Sequence, residues 1–486
     1  MRKKRRKPSN PLRILILLLL IGGAIYLERV IVPTVPPLFV ATATPTRSPA
    51  SILLEAESLY QAGQLEQAEV AYQQAIAVSP DQVNFYLDLA HLQALRGDLE
   101  AAETSARNAL LISPSSAHGS ALLAWILDLQ ANDTTDPEER LALLNLAREQ
   151  IDKALAQNPE LAEVHAYHAE ILIDEYIFAN EDTYEQALEA AQRAVSLNSN
   201  SFDAHRALAV VWEATGNYEN ALESYQRAQQ INGNLSLIHL KLGDMHLNLD
   251  DTDAAIERYV RASSLAPKDP GPLRRIARAY SRVGQYARAS QYAADAVRLS
   301  PGNPTLHGIL GQMHRRNNEL ERAVDELAWA IHGGTIPGQW TVNGQVFELT
   351  DDTVIAEGLG VGSNVVVEWE SGPEGGQVAV EIRPADQSTP ADEDQVTVGV
   401  VEDTLQAVQV QGLRLDDGDT AIELYYTYAL ALADTNRCDQ AADIAQAILL
   451  AVQDDETARF NAEEALRICG DLEVTPTPEV TATPEA

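Results

Sequence analysis

Histidine is the residue type here with the most evident chemistry. The chain has ten, and His165-x-x-His168, followed by Glu170 and Asp174, has the one-turn spacing of a helical metal site. Placement along the chain argues for packing instead. His165, His205, His239 and His307 share one slot of a repeating pattern, and a side chain that recurs in one slot of a stack serves the stack. No metal site is assigned. No glycine-rich phosphate loop follows a strand, and no serine or cysteine sits in a nucleophile elbow. The acidic residues show no paired arrangement, so the expectation is a non-enzyme without a cofactor. Two features stand apart. Arg274, Arg278 and Arg282 are spaced by four, on one helix face, with Arg315 and Arg316 in the corresponding stretch downstream. The only two cysteines are Cys438 and Cys469.

The elements that carry these residues follow a 34-residue beat. Ala68, Ala102, Ala221, Ala255, Ala289 and Ala323 keep it, with two insertions between the second and third. Another alanine lies seven residues after each, and Pro80, Pro114, Pro267 and Pro301 lie five further on. Within a unit, Leu208-Ala209-x-x-Trp212 and Ala221-x-x-x-Tyr225-x-x-Ala228 recur at helical spacing, and Gly216 breaks them. Each unit reads as helix, tight turn, helix, ended by proline.

This pattern resembles the tetratricopeptide repeat (TPR) family. It implies a mostly α fold, a helical-hairpin solenoid of about eight repeats over residues 51–335. The third unit carries 11 extra residues around Asn132 to Arg140 and the fourth six around Tyr176 to Asp182, insertions expected to sit in turns. In this family the first helix of each unit lines a concave groove. The resemblance therefore implies protein or peptide binding, and a carboxylate clamp for an acidic tail formed by Arg274, Arg278, Arg282, Arg315 and Arg316. Arginine suits that role through bidentate hydrogen bonds. The alternative is a set of solvated arginines paired with neighbours such as Asp295 or Glu319.

The rest of the chain flanks the array. Residues 1–13 hold seven basic residues and no acid, leaving 28 basic against 71 acidic residues in the remainder. That acidity argues against a nucleic-acid partner. Residues 14–32 read as an uncleaved transmembrane anchor, with the N-terminus cytoplasmic and the bulk extracytoplasmic at the cell membrane. Residues 33–50 form a Pro/Thr-rich stalk, and 471–486 a similar tail.

After the array the period changes. Trp340-Thr-Val-Asn343-Gly344-Gln-Val-Phe347 alternates around an Asn-Gly hairpin signal, and Asn364 to Trp369 and Gln377 to Ile382 read as further strands. Residues 337–384 are thus a small all-β insert. They resemble a family of small bacterial β-barrel domains of unknown function, which implies a spacer or docking module, or a glycan- or ligand-binding part. Residues 385–418 read as a linker, and 419–470 as a final degenerate repeat with a capping helix. There Cys438 opens one helix and Cys469 closes the next, which places them side by side for a disulfide. Two buried cysteines that never meet is the other reading.

Overall fold

The computed structural model describes residues 48–470 apart from 180–181, 357, 373–375 and 386–394, with Leu19 alone upstream. The anchor, most of the stalk and the tail lie outside the described residues. Among those described, no helix is long and apolar enough to cross a membrane.

Sixteen helices form eight consecutive hairpins: α1 Pro49–Gln61, α2 Leu65–Val78, α3 Val83–Arg96, α4 Leu99–Ile112, α5 Ala117–Asp133, α6 Pro137–Gln157, α7 Ala162–Phe178, α8 Tyr184–Leu197, α9 Phe202–Ala214, α10 Tyr218–Ile231, α11 Ser236–Asn248, α12 Thr252–Leu265, α13 Pro270–Arg282, α14 Tyr286–Leu299, α15 Pro304–Arg316 and α16 Leu320–His332. The first helices of successive hairpins touch one another, α3 on α5, α5 on α7, α7 on α9 and α13 on α15, and make the inner layer.

The period has two structural causes. The first is the turn within a hairpin, which in six of the eight uses one left-handed residue among the described residues. Gly63, Gly97, Gly216 and Gly284 supply it at φ between 73° and 82°, and Asp250 and Asn318 supply it at φ 61° and 62° in the same 34-residue register. Those are the residue types that tolerate this conformation. The second is close helix approach: a Cβ on Gly243 would lie 2.4 Å from the ring of Tyr259, whose hydroxyl donates to Asp244 at 2.7 Å. The extra residues of the third unit extend helices rather than a turn. α5 has 17 residues and α6 has 21, against 13 or 14 in most of the others. Asp136 caps α6 with Pro137 in its first turn, leaving a short connection.

Seven strands follow: β1 Gly334–Ile336, β2 Gly338–Val342, β3 Gln345–Ile355, β4 Asn364–Ser371, β5 Gln377–Pro384, β6 Val396–Leu405 and β7 Val408–Val410. Five close a barrel in the order β2-β3-β5-β4-β6, with β3 and β5 parallel. The Asn343-Gly344 turn joins β2 to β3 with both residues at positive φ, and the Asn343 amide also holds β6 through Val398 O and Val400 N. The supposed linker 385–418 is corrected by β6 and β7. β6 pairs with both β2 and β4 and closes the barrel, so the domain extends beyond residue 384. The acidic residues around it had masked its alternating Val-x-Val-x-Val pattern.

β1 and β7 pair antiparallel as a neck, bringing the chain back to where it left. The solenoid then resumes with α17 Asp419–Asp434, α18 Cys438–Ala451 and α19 Glu456–Ile468. Leu327 and Ile331 of α16 share one core with Leu424, Tyr428 and Ile448. The barrel is therefore inserted into a continuous array.

Candidate functional site

The array curls back on itself over its first six hairpins. The α1–α2 turn reaches the segment before α11: the Asn234 amide donates to Gln61 O at 2.8 Å, and a Cβ on Gly63 would lie 2.2 Å from Asn234 O. Tyr60, Leu65 and Leu95 pack against a core of Tyr225, Leu235 and Ile238. Closure explains why α5 and α7 are buried around almost their whole circumference.

Charged side chains occupy the enclosed space. Arg206 on α9 donates to Glu170 on α7 at 2.7 Å and to Asp203 at 3.3 Å, and its guanidinium lies 4.3 Å from the Trp125 ring centroid. The Trp125 indole N–H donates to Glu170 at 3.0 Å, and its ring stacks on Tyr167 at 5.0 Å. His91 on α3 meets Asp203 at 3.2 Å across 112 residues. Burial alone would raise Asp203, but His91 and Arg206 override it and hold the carboxyl well below its usual range. Burial likewise opposes the charged form of His91, and Asp203 reverses that.

Beside this network lies a cavity of about 1010 Å³. Leu129, Phe202, Val210, Leu235 and Ile238 are among its apolar lining, with Asp128, Asn132, Glu170, Asp174 and Lys241 among its polar lining. Asp128 is 1% exposed, and its Oδ1 has no hydrogen-bond partner among the described residues. Its carboxyl bonds Asp174, and burial first, then Asp174 and Glu170, push it well above the carboxylate range. Burial also raises Asp174 to about 6, although Asn132, donating at 2.6 Å, draws it down.

The four histidines of the shared slot have a common task. Their Nε2 atoms donate to the carbonyl six residues upstream: His165 to Pro159 at 2.7 Å, His205 to Ser199 at 3.0 Å, His239 to Gly233 at 2.9 Å and His307 to Pro301 at 2.9 Å. Each fastens the turn between repeats. His168 is instead depressed to about 4 by burial and the nearby Arg148. Glu170 and Asp174 line the cavity.

The five candidate arginines are divided. Arg274 is half-buried between Arg275 and Arg278, and burial and these two cations destabilise its charge. Arg278 is exposed, with no ion-pair partner among the described residues. Arg282 pairs with Asp250 and donates to Leu247 O at 3.0 Å. Arg315 pairs with Asp434 of α17 at 2.9 Å, and Arg316 donates to Ser281 at 2.8 Å. Sequence reasoning passed over Arg275, which is held by Asp244 at 3.1 Å. Cys438 and Cys469 are joined by a disulfide with Cα atoms 5.5 Å apart.

Sequence reasoning also missed the buried ionic network. The available signal was Trp125 with Asp128 and Glu170 with Asp174, each pair close to one helical turn apart and flanked by the apolar runs Ile126-Leu127 and Ile171-Leu172-Ile173.

Comparison with known proteins agrees with the repeat reading. Profiles described as tetratricopeptide or TPR repeats match residues 56–97, 178–235, 237–269 and 274–331. No curated protein matches in sequence. Among solved structures, a chain of the APC/C hetero-tetramer Cut9-Hcn1 is 17% identical, covering 57% of this chain and 51% of its own, with TM-score 0.45. The chain thus spans about half the length of that structure. A thermophilic TPR protein of Thermus thermophilus, TTC0263, is 18% identical, covering 41% of this chain and 100% of its own, with TM-score 0.35. Over those matched residues the array carries tetratricopeptide repeats, which indicate a protein-interaction scaffold.

Proposed function

We propose that the protein is a membrane-anchored, extracytoplasmic scaffold that binds a protein or peptide partner on the inner face of its later repeats. The observation that carries this reading is the contrast between the two halves of the array. The inner face of the first six hairpins is spanned by its own contacts, whereas α13 presents Arg274, Arg275 and Arg278 with Arg278 exposed. An acidic peptide tail would relieve the mutual repulsion that Arg274 feels there. Arg282, Arg315 and Arg316 are committed to internal partners and serve as its frame. The basic segment 1–13 and the apolar stretch 14–32 support the anchor and its orientation. The barrel, its interior filled by Trp340, Val342, Phe347 and Val367, is the spacer in this arrangement.

The test is binding of a fluorescent acidic peptide to the full chain. Arg274→Ala with Arg278→Ala should weaken binding about ten-fold or more, and less so at high salt, with helical content unchanged. Equal binding by the variant sinks the groove. Partner capture from the native host that depends on residues 337–384 instead would transfer the role to the barrel.

A further inference from the structure

We infer that the cavity inside the first six hairpins is a binding site for an organic cation, an apolar stem ending in a protonated amine that Asp128 and Asp174 receive.

The geometry carries this in three steps. The first is charge balance. Of the cations that line the cavity, Arg206 is matched by Glu170 and Asp203 and Lys241 by Glu213 at 3.1 Å, while Lys268 is exposed to solvent. Arg96 is matched by Glu69. Asp128 and Asp174 face one another with no cation between them among the described residues, only Asn132 donating to Asp174. Two adjacent buried carboxyls cannot both ionise unless a positive group joins them.

The second is unused hydrogen-bonding capacity. Asp128 Oδ1 and Glu170 Oε1 belong to residues that line the cavity, both buried and both without a partner among the described residues. Buried acceptors left unmet are costly, and an ammonium group carries three donors. The third is the wall. Leu129, Phe202, Val210, Leu235 and Ile238 would cover an alkyl stem, and this apolar lining does not suit a hydrated metal ion.

Above about pH 6 the free protein holds the acid pair at a single negative charge by sharing one proton, and an ammonium takes the place of that proton, which leaves to solvent. Binding therefore strengthens as pH rises through about 6, where Asp174 titrates. The groups facing the pair are Glu170, Asn132 from α5, Arg206 from α9, which draws Asp128 down, and Lys241 from α11, which draws Asp174 down; both cations are bonded to other carboxylates, Glu170 and Glu213. The amine stays charged throughout, since its pKa is near that of lysine.

Calorimetric titration of the full chain with hexylamine, with hexanol and with a capped Ala-Lys-Ala peptide tests this. Hexylamine should bind at least about ten-fold more tightly than hexanol, with proton release near the Asp174 titration. Asp128→Asn should abolish that preference and leave hexanol binding unchanged. A peptide stronger than hexylamine assigns the cation to a lysine side chain, and a weaker one to a free amine. Equal binding of hexylamine and hexanol overturns the proposal without any variant. So does an unchanged preference in Asp128→Asn with intact circular dichroism.

Discussion

Replacing Arg206 with methionine should destabilise the first half of the array by about 3–5 kcal/mol, among the largest effects of any single substitution here. The loss comes less from the attraction removed than from what is left behind. Glu170 and Asp203 would remain buried with only the Trp125 indole N–H and His91 as partners. The cation over the Trp125 face would also go. Adding Glu170→Gln and Asp203→Asn should recover most of the stability, because a neutral set has no uncompensated charge. Chemical denaturation followed by circular dichroism checks both. A methionine variant within about 1 kcal/mol of wild type would show that the network is not what closes the superhelix. The pH dependence has a definite sign. Asp203 is depressed, so its contribution is present above its ordinary value near 3.8 and fades as pH falls below it. His91 is raised, so its contribution is full below 6.5 and fades as pH climbs through the raised value. The His91→Ala deficit should therefore be greatest between those limits and shrink at alkaline pH.

That network marks where the sequence was legible and where it was not. The hairpins could be read because their causes are local and periodic. A left-handed residue in the turn of most hairpins, a small residue facing an aromatic one and a turn-fastening histidine each leave a mark in a single repeat. Closure of the array leaves no such mark. It depends on the summed rotation of several hairpins, and it joins His91 to Asp203 and Gln61 to Asn234, residues far apart in the chain. Asp128 therefore reads in the sequence as an ordinary solvated acid, and Glu170 only as a neighbour of the His165-x-x-His168 pattern. The same limit applied to β6, whose partners β2 and β4 come from distant segments, and to the lengthened α5 and α6, where helix propensity across Gln130-Ala131-Asn132 outweighed the turn expected from the insertion. The barrel's Asn343-Gly344 hairpin was readable for the opposite reason, since two residues fix both the turn and the register.

The terminal staple is the other large expected effect. α19 is the last described element of the solenoid, packed on α17 and α18, while Phe460 and Ile468 on its outer side are exposed. A helix with neighbours on one side only frays easily, because each unit of such an array is held by its interfaces. The disulfide joins the first residue of α18 to the residue that ends α19, 31 positions later. Closing a loop of this length should stabilise the terminal unit by about 3 kcal/mol through the unfolded chain. Reductant should therefore lower the melting temperature of the wild type. Cys438→Ser, Cys469→Ser and the double variant should melt alike, at the reduced wild-type value and indifferent to reductant. Hydrogen exchange should place the loss in α18 and α19, with α3 to α9 unchanged. The bond also bears on location, since disulfides persist in oxidising compartments and the anchor orientation proposed above puts the repeats in one. Alkylation of protein taken directly from cells and unfolded without reductant decides both points. No labelling at either thiol is the expected result; labelling at both would remove the staple and, with it, a main support for an extracytoplasmic array.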